Sequence, residues 1–450
     1  MINSFLAKKI YILASKIRDE NINLHLKALE KSQWLPLTEI KDFQWAKLIK
    51  LLKHAYNNSA FYKKKFTKHG ITPDDIKAPE DMVRIPILTK NDLSDYYNEI
   101  KVKNGAFSFS LAKTSGSTGQ ALKFYKDRNS SGAGRAAMYR GHSWYGLDIG
   151  AREAKLWGIP LNLKEGLIAK AGDYLLNRFR EKSFHLTDKI MNDFMLNMRK
   201  SKPEYIMGYS SLVYQFAQYL KDKQINGAPF ALKMIKVTAE TLFDYQRELI
   251  EKIFQCPLAI EYGATEVGII SFECPRHGHH IASENVFVEE IGSDINSEKE
   301  LIITDLNNYL TPIIRYQIGD YGRLSDKACE CGSGLPLLAE IIGRTSDKVY
   351  KADGTPVHSA IFSYILKDIT GKDGGIRQYK IYQEDKGSLK IEIVKDRNFN
   401  KNTLEVLRNN IFRYLGSDMK VDIIYVGDIK REPSGKLRYF VSKIEDKELH

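Results

Sequence analysis

The N-terminal part of the chain carries its apolar positions at helical spacing. Four apolar residues recur every three or four positions and so share one helix face: Trp45, Leu48, Leu52 and Ala55. Residues 86–90 (PILTK) break this pattern before another helix-like stretch. We therefore predict a helical lead-in over residues 1–110.

From about residue 111 onward the pattern changes to alternating strands and helices. Apolar, β-rich runs such as residues 233–237 (KMIKV) and 301–304 (LIIT) lie between helical segments such as residues 242–254. Strand-like and helix-like segments that alternate in this way are typical of an α/β architecture.

The last hundred residues indicate a smaller unit of their own. Residues 389–393 alternate apolar with polar positions, residues 404–415 have helical spacing, and residues 421–426 (VDIIYV) predict a second strand. About 100 residues is a common domain size. We therefore predict a large domain over residues 1–346 and a small domain over residues 347–450.

Composition is compatible with this two-domain, well-packed chain. The protein has 450 residues, 43% of them hydrophobic, with 25 tyrosines and 20 phenylalanines, which is not the composition of a disordered chain. The net charge of +12 is spread along the chain and mixed with 56 acidic residues. We expect no dedicated nucleic-acid site, because ATP, pyrophosphate or an anionic acceptor suits such a balance equally well.

Membrane and disulfide signals are weak. The sequence has no run of about 18 apolar residues, so we predict no membrane-spanning helix. We interpret the N-terminus as a surface helix. Four cysteines in 450 residues do not indicate a disulfide framework. We expect a cytoplasmic protein.

Five short segments carry candidate nucleotide chemistry. The first is a loop of small and hydroxyl residues, whose N–H and hydroxyl groups can converge on phosphate oxygens. No Gly-Lys-Ser/Thr follows it, so it is not a Walker A loop. It comprises Thr114, Ser115, Gly116, Ser117, Thr118 and Gly119.

The second and third segments offer an aromatic ring and carboxylates. In residues 261–266 (EYGATE), Tyr262 can stack on a purine, Thr265 can donate to a phosphate, and Glu266 offers an oxygen ligand for Mg²⁺. In residues 315–320 (RYQIGD), the carboxylate of Asp320 suits the two ribose hydroxyls. The members of the second segment are Glu261, Tyr262, Gly263, Ala264, Thr265 and Glu266.

The fourth and fifth segments lie at the predicted boundary and near the C-terminus. In residues 343–347 (GRTSD), Arg344 is placed to contact phosphate or ribose, and Asp347 lies where a hinge would be useful. In residues 433–438 (PSGKLR), Lys436 offers a compact charge on a flexible stem. A turn or a solvated loop explains each segment taken alone, but five in this order are hard to explain by chance.

With these motifs in view, the chain resembles the adenylate-forming superfamily of acyl-CoA synthetases. Within it the chain is most similar to the phenylacetate–CoA ligase branch and its capsular polysaccharide biosynthesis (CapK-like) members. Residues 83–93 (VRIPILTKNDL), 207–212 (MGYSSL) and 329–332 (CECG) carry the branch assignment. The resemblance implies an α/β fold, α+β overall, with a large N-terminal domain of mixed sheets and helices and a small, mobile C-terminal α+β lid domain.

The resemblance also implies roles in binding ATP. The loop at residues 114–119 would hold the β- and γ-phosphates, and Tyr262 would pack on adenine. Thr265 and Glu266 would place phosphate and Mg²⁺, and Asp320 would bind the ribose.

Further implied roles belong to the domain junction and the lid. Arg344 would approach the nucleotide, and Asp347 would be the hinge between two half-reactions. Lys436 would bridge the substrate carboxylate and the α-phosphate during adenylation. Glu240 would belong to the nucleotide site, and it follows Ala239 where the family usually has glycine.

The implied activity is ATP-dependent formation of an acyl-adenylate with release of pyrophosphate, followed by transfer to CoA. The acyl pocket would come from segments around Trp144, Tyr209 and Ala239. Residues 351–356 (KADGTP) lack the usual glycine-rich motif on the CoA side, so a sugar amine or hydroxyl in surface polysaccharide synthesis is an alternative acceptor. A non-catalytic nucleotide-binding scaffold is a further alternative, against which Glu266 and Lys436 argue.

A possible metal site is separate from the nucleotide motifs. Thiolates and an imidazole suit tetrahedral Zn²⁺, and a closed set of four ligands would be structural. His277 or His279 is an alternative to His280 as the histidine ligand. The competing interpretation is that the protein has four reduced cysteines and solvated histidines and no metal site. The proposed ligands are Cys274, His280, Cys329 and Cys331.

Overall fold

The computed structural model describes most of the chain, with several internal gaps. The described residues are 2–103, 105, 107–113, 122–157, 171–181, 183, 186–225, 230–292, 299–344, 348–359, 361–366, 368–370, 374–432 and 435–444. No helix among them combines the length and the apolar character needed to cross a membrane.

Helices open the chain, as the spacing predicted. The third helix buries Leu48, Leu52 and Ala55 in the first hydrophobic core, with Trp45 packed against it. The backbone N–H of Leu88 donates to the carbonyl of Arg315 at 2.9 Å and joins this layer to the large sheet. The helices are α1 (Ser4–Ile17), α2 (Ile22–Ser32), α3 (Leu37–Asn58), α4 (Ala60–Lys68), α5 (Lys90–Asp95) and α6 (Tyr97–Ile100).

A two-stranded antiparallel sheet follows, and a long helix comes directly after it. Strands β1 (Phe109–Lys113) and β2 (Lys123–Asp127) pair along their whole lengths. Helix α7 (Arg128–Ser143) begins at once, because the carboxylate of Asp127 caps it by accepting from the N–H of Asn129 at 2.8 Å. Helix α7 packs against the large sheet described next.

An eleven-stranded mixed sheet forms the body of the protein, in the order β10-β11-β12-β13-β9-β8-β7-β6-β5-β3-β4. The pairs β3–β4, β3–β5, β5–β6 and β6–β7 are parallel, and the other pairs of this sheet are antiparallel. The strands are β3 (Glu153–Leu156), β4 (Arg178–Glu181), β5 (Tyr205–Tyr209), β6 (Met234–Thr238), β7 (Leu258–Ala264), β8 (Gly268–Glu273), β9 (His279–Ile281), β10 (Val286–Ile291), β11 (Lys299–Asp305), β12 (Tyr316–Ser325) and β13 (Leu337–Arg344).

Three helices of the described part of the chain, each between two of the parallel strands, pack on one face of these strands. They are α8 (Asp188–Ser201), α9 (Ser210–Asp222) and α10 (Asp244–Phe254), and together with β3, β5 and β6 they form a second hydrophobic core. This arrangement of alternating strands and helices confirms the α/β pattern predicted from residue 111 onward.

The C-terminal segment has its own sheet and its own core, which draws only on residues between Val349 and Phe440. The four strands are ordered β18-β17-β16-β19. The predicted strand, helix and strand are present as β17, α12 and β18. The elements are β14 (Lys348–Tyr350), β15 (Pro356–His358), α11 (Ile361–Leu366), β16 (Ile376–Gln383), β17 (Ser388–Lys395), α12 (Lys401–Leu415), β18 (Lys420–Tyr425) and β19 (Phe440–Ser442).

The predicted fold class is confirmed, since the chain is a mixed α/β protein with a C-terminal α+β domain. The exact division at residues 346 and 347 stays a prediction.

Candidate active site and metal centre

The candidate site lies at one edge of the large sheet, where three parallel strands end. Strands β5, β6 and β7 end at Tyr209, Thr238 and Ala264, and the carboxyl ends of neighbouring parallel strands meet at the same edge. Ligand sites of open α/β sheets lie at this edge. The segments that directly follow these strands carry the polar side chains of Ser211, in the first turn of α9, and of Glu240 and Glu266.

The second and third predicted motifs meet through side-chain hydrogen bonds. The hydroxyl of Tyr262 donates to Oδ2 of Asp320 at 2.9 Å, and the hydroxyl of Tyr316 donates to Oε1 of Glu266 at 3.1 Å. Thr265 lies exposed in the turn between β7 and β8. The structure thus brings together an aromatic ring, a hydroxyl and two carboxylates that the sequence analysis assigned to one nucleotide.

Lys126 is a residue of this site that does not belong to any of the five segments in the sequence analysis. Its ammonium group is buried at the end of β2, 3.3 Å from the carboxylate of Asp305, and donates to the carbonyl of Glu266 at 3.2 Å. It therefore supports the turn that carries Thr265. The sequence signal that could have found Lys126 is the alternating, strand-like pattern of residues 122–126 (LKFYK), which follow the loop at residues 114–119.

The C-terminal loop reaches the same edge. The backbone N–H of Leu437, next to Lys436, donates to Oε1 of Glu240 at 2.5 Å. The guanidinium of Arg431 donates to Oγ of Ser211 at 2.7 Å and lies 3.6 Å from Oε1 of Glu240. The side chains of Arg431 and Glu240 are both buried. These contacts therefore fix residues 435–438, which we call the lysine loop, beside the candidate nucleotide site.

The backbone directly before Glu240 is in an unusual conformation. Ala239, which precedes it, has φ of +70°, a left-handed conformation that costs a non-glycine residue about 1 kcal/mol. This is the position where the resembling family has glycine. Burial, together with the nearby Glu240, raises the pKa of the Tyr209 hydroxyl to about 12, and its ring stacks on Trp157 at 4.2 Å.

Several predicted site residues fall outside the described part of the chain. Thr114 to Gly119 and Asp347 are among them, so their roles stay predictions. The backbone of Arg344 pairs with that of Asp320 in the β12–β13 ladder, which brings the fourth motif beside the third, but its side chain is not among those described.

A cavity of about 310 Å³ opens between α7 and the β7–β8 region. Thr238, Glu261, Gly263 and Ala264 form its sheet side, and Arg135 lies in its helix wall. Thr238 thus joins the cavity to the sheet edge described above. Trp144, which the sequence analysis placed near the acyl pocket, instead packs its ring edge-on to His280 at 5.2 Å.

The predicted metal ligands converge on one point. The ligand atoms of Cys274, His280, Cys329 and Cys331 all lie within 4.8 Å of one another. Sγ of Cys274 is 3.7 Å from Sγ of Cys329, and two thiolates on a tetrahedral zinc ion, at 2.3 Å each, are about 3.8 Å apart. The donor set and its spacing therefore fit Zn²⁺.

The neighbours of this cluster orient its ligands. Nδ1 of His280 lies 3.4 Å from the carbonyl of Leu335, which favours a tautomer with Nε2 directed to the thiols, 3.2 Å from Sγ of Cys331. A Cβ at Gly278 would lie 2.6 Å from Sγ of Cys329, so only glycine allows this approach. His277 instead bonds Glu273 at 2.9 Å. The structure thus selects His280 from the three histidines considered.

Known proteins are similar to this chain in sequence, and others are similar to it in fold. Residues 349–443 match the family model of the CapK C-terminal domain. Protein CapK of Staphylococcus aureus is 23% identical over 400 residues, covering 86% of this chain and 86% of that protein. Phenylacetate–coenzyme A ligase of Thermus thermophilus is 24% identical over 449 residues, covering 90% of this chain and 96% of that protein.

One solved protein with this fold is 2-hydroxyisobutyryl-CoA ligase, whose structures include the postadenylation and thioesterification states. In the postadenylation state, in complex with an acyl-AMP, it has a TM-score of 0.75 at 17% identity, over 92% of this chain and 91% of that chain. In the thioesterification state, with 2-HIB-AMP and CoA, the TM-score is 0.61 at 19% identity, over 92% and 91%.

The chain has the fold of solved acyl-CoA ligases, as the motif order predicted. In sequence it is similar to CapK and to the phenylacetate–coenzyme A ligases, and its residues 349–443 match the CapK C-terminal domain. Besides CapK, its relatives include phenylacetate–coenzyme A ligases, and its structural neighbours include CoA ligases in complex with acyl-AMP compounds.

Proposed function

We propose that this protein uses ATP to activate a small carboxylic acid as an acyl-adenylate and then transfers the acyl group to CoA. The observation that carries the proposal is the docking of the lysine loop. The bond from the N–H of Leu437 to Glu240 brings Lys436 to the sheet edge that holds Tyr262, Glu266 and Asp320.

In the first half-reaction a carboxylate oxygen attacks the α-phosphorus of ATP, and pyrophosphate leaves. Asp320 would accept from the ribose hydroxyls beside the Tyr262 ring, and Lys436 would face the α-phosphate. Glu266 would supply a carboxylate oxygen to Mg²⁺, a ligand type this ion prefers. The protein's contribution is positioning and stabilisation of the negative charge that develops.

In the second half-reaction a nucleophile attacks the adenylate, and AMP leaves. Rotation of the C-terminal domain about Asp347 would withdraw Lys436 and admit the acceptor. The higher TM-score with the postadenylation state than with the thioesterification state supports an adenylation arrangement for this structure. We expect the reaction in the cytoplasm, where ATP is available.

Acid-dependent exchange of labelled pyrophosphate into ATP tests the proposal. Exchange with at least one acid of a broad panel, followed by CoA-dependent consumption of the adenylate, is the expected result. If an amino sugar rather than CoA consumed the adenylate, the alternative acceptor would replace CoA. If nucleotide bound without exchange on any acid, the scaffold alternative would be correct.

The contacts of Glu240 lead to a more specific prediction. Replacing Arg431 with glutamine should slow adenylation about tenfold, because a hydrogen bond that involves a charged group contributes about 1.5–3 kcal/mol and the loss weakens docking of the lysine loop. Transfer from a supplied acyl-adenylate should be unchanged, since the docked loop is not needed there. Single-turnover rates of both half-reactions measure the effect.

A matched control is Lys443→Gln, which removes an exposed ion pair with Glu384 in the same domain. Exposed pairs of this kind contribute about 0–1 kcal/mol, and we expect no change in either rate. Equal slowing of both half-reactions by Arg431→Gln would show that the contact is only structural.

A further inference from the structure

We propose that the acid activated by this protein carries neutral hydroxyl groups on its acyl part, and that the cavity between α7 and the β7–β8 region recognises them. This inference rests on the proposed function and specifies its substrate class. Because Thr238, Gly263 and Ala264 line the cavity where β6 and β7 end, an acyl group attached to a nucleotide at that edge would extend into it.

Half of the twelve residues that line the cavity carry a charged or hydroxyl group. Pockets for hydrocarbon ligands are lined mainly by apolar and aromatic side chains, whereas the sizeable apolar side chains in this wall are Met138 and Ile269. Charged and hydroxyl groups make up most of the other side chains, namely Lys126, Arg135, Glu261, Ser130, Ser131 and Thr238. An aryl or alkyl group placed here would bury polar groups without replacing their hydrogen bonds with water.

Each charged group of the wall has an oppositely charged partner. Lys126 is 3.3 Å from Asp305, and Ser130 donates to the same carboxylate at 3.0 Å. On the sheet side, Glu261 accepts from the almost fully buried ammonium group of Lys236 at 2.7 Å. These pairs hold donors and acceptors at defined places on the wall.

The positive charge of Arg135 is likewise paired with a carboxylate. Arg135 donates to Glu20 at 2.5 Å, and Arg18 lies 3.1 Å from the same carboxylate oxygen. A guanidinium has five N–H donors in a rigid fork, so the bond to Glu20 leaves the group able to donate further while its orientation is fixed.

Because the charges of the wall are already paired, the cavity favours a neutral polar acyl group over a charged one. A second carboxylate on the substrate would compete with Glu20, Asp305 and Glu261 for cations that already have partners, and it would pay a desolvation cost. Hydroxyl groups both donate and accept, so they match a wall that offers donors from Arg135 and Ser131 and an acceptor at Glu261. A neutral, hydroxylated acyl group therefore fits better than a hydrocarbon or a dicarboxylate.

The size of the cavity limits the substrate to a small acid. About 310 Å³ is at the low end of the range for small-molecule sites. A Cβ added at Gly134 would have no heavy atom within 4 Å, so part of the open volume lies directly beside this residue of α7.

The test compares acids of matched chain length on the purified full-length protein. The four-carbon set is butyrate, 3,4-dihydroxybutyrate and succinate, and the six-carbon set is hexanoate, gluconate and adipate, with phenylacetate added. We expect kcat/KM for pyrophosphate exchange to be at least about tenfold higher with a hydroxylated acid than with its hydrocarbon or dicarboxylate counterpart, since unpaired polar groups in a site discriminate strongly. A preference for butyrate, hexanoate, phenylacetate, succinate or adipate would overturn the inference.

Variants assign the preference to the cavity. Arg135→Met should lower the ratio of kcat/KM for hydroxylated over hydrocarbon acid about tenfold, and Ser131→Ala should lower it less. Glu20 keeps Arg18 as its partner, so we expect Arg135→Met to fold, which a melting curve verifies. The matched control Arg199→Met removes an exposed arginine from α8 and should leave the ratio unchanged. An unchanged ratio in folded Arg135→Met would contradict the assignment.

Calorimetric binding of the same acids, in the presence of a non-hydrolysable ATP analogue, separates the two levels of the proposal. Binding of hydroxylated acids without exchange would remove the proposed reaction but retain the specificity of the cavity. Absence of binding by every hydroxylated acid would overturn the inference itself.

Discussion

Replacing Lys436 with alanine is expected to depress acid-dependent pyrophosphate exchange by two or more orders of magnitude. Negative charge grows on the α-phosphate in the transition state, so a cation placed there stabilises the transition state more than the ground state. A hundredfold loss corresponds to about 3 kcal/mol of activation free energy. The neighbouring bond from Leu437 to Glu240 explains how a lysine near the C-terminus reaches the large sheet.

Two further measurements make this prediction specific. ATP binding to Lys436→Ala should change little, because the proposed nucleotide-binding groups belong to the large domain. Transfer from a chemically supplied acyl-adenylate should be largely unaffected, since the loop is withdrawn in that step. Lys430→Ala removes an exposed lysine from the segment before the same loop and should behave as wild type. Exchange near the wild-type rate in Lys436→Ala would refute the mechanism, even if ATP bound.

The second large effect is expected from the metal centre, which we propose holds one structural Zn²⁺ per chain. Cys329→Ser should lower both the zinc content and the stability, because the free energy of metal binding at such sites is also folding free energy. Zinc-binding peptides gain about 10–16 kcal/mol from the ion, so losing even part of it should lower the melting temperature markedly. Metal analysis and thermal unfolding, with and without a chelator, measure these effects.

The control for the metal centre is Cys256→Ala, which removes the cysteine that lies outside the cluster. This variant should keep its zinc while losing only the packing of a small buried side chain. Wild-type protein that contains no zinc, and melts at the same temperature as Cys329→Ser, would show that the four residues are a reduced and uncharged cluster.

Local patterns in the sequence were sufficient for many elements. The spacing of Leu48, Leu52 and Ala55 predicted the buried face of α3, and the alternation of apolar and polar positions in residues 389–393 predicted β17. Such periodicity reflects which side of an element is buried, and it can be read without knowing the neighbour. It does not identify that neighbour. The strand β19 was missed because a three-residue strand has too few positions for a pattern.

Side-chain partners at the site were predictable only in part. The sequence analysis grouped Tyr262 with Asp320 and Glu266 through the order of motifs, and the structure joins Tyr262 to Asp320. Arg431 was missed, although it lies five residues before Lys436 in the same loop, because its partner Ser211 is 220 positions away. No local pattern reports a contact over that separation.

The sequence by itself determined the class of fold, the order of the nucleotide motifs, and the three cysteines and three candidate histidines of the metal site, because these depend on residue type and spacing. Only the tertiary structure decided that His280 rather than His277 joins the cysteines, that Lys126 supports the turn of Glu266, and that Arg135 and Glu261 face one cavity. Each of these outcomes depends on which side chains meet when the sheet and helices pack, and residues distant in sequence acquire their chemical surroundings at that step.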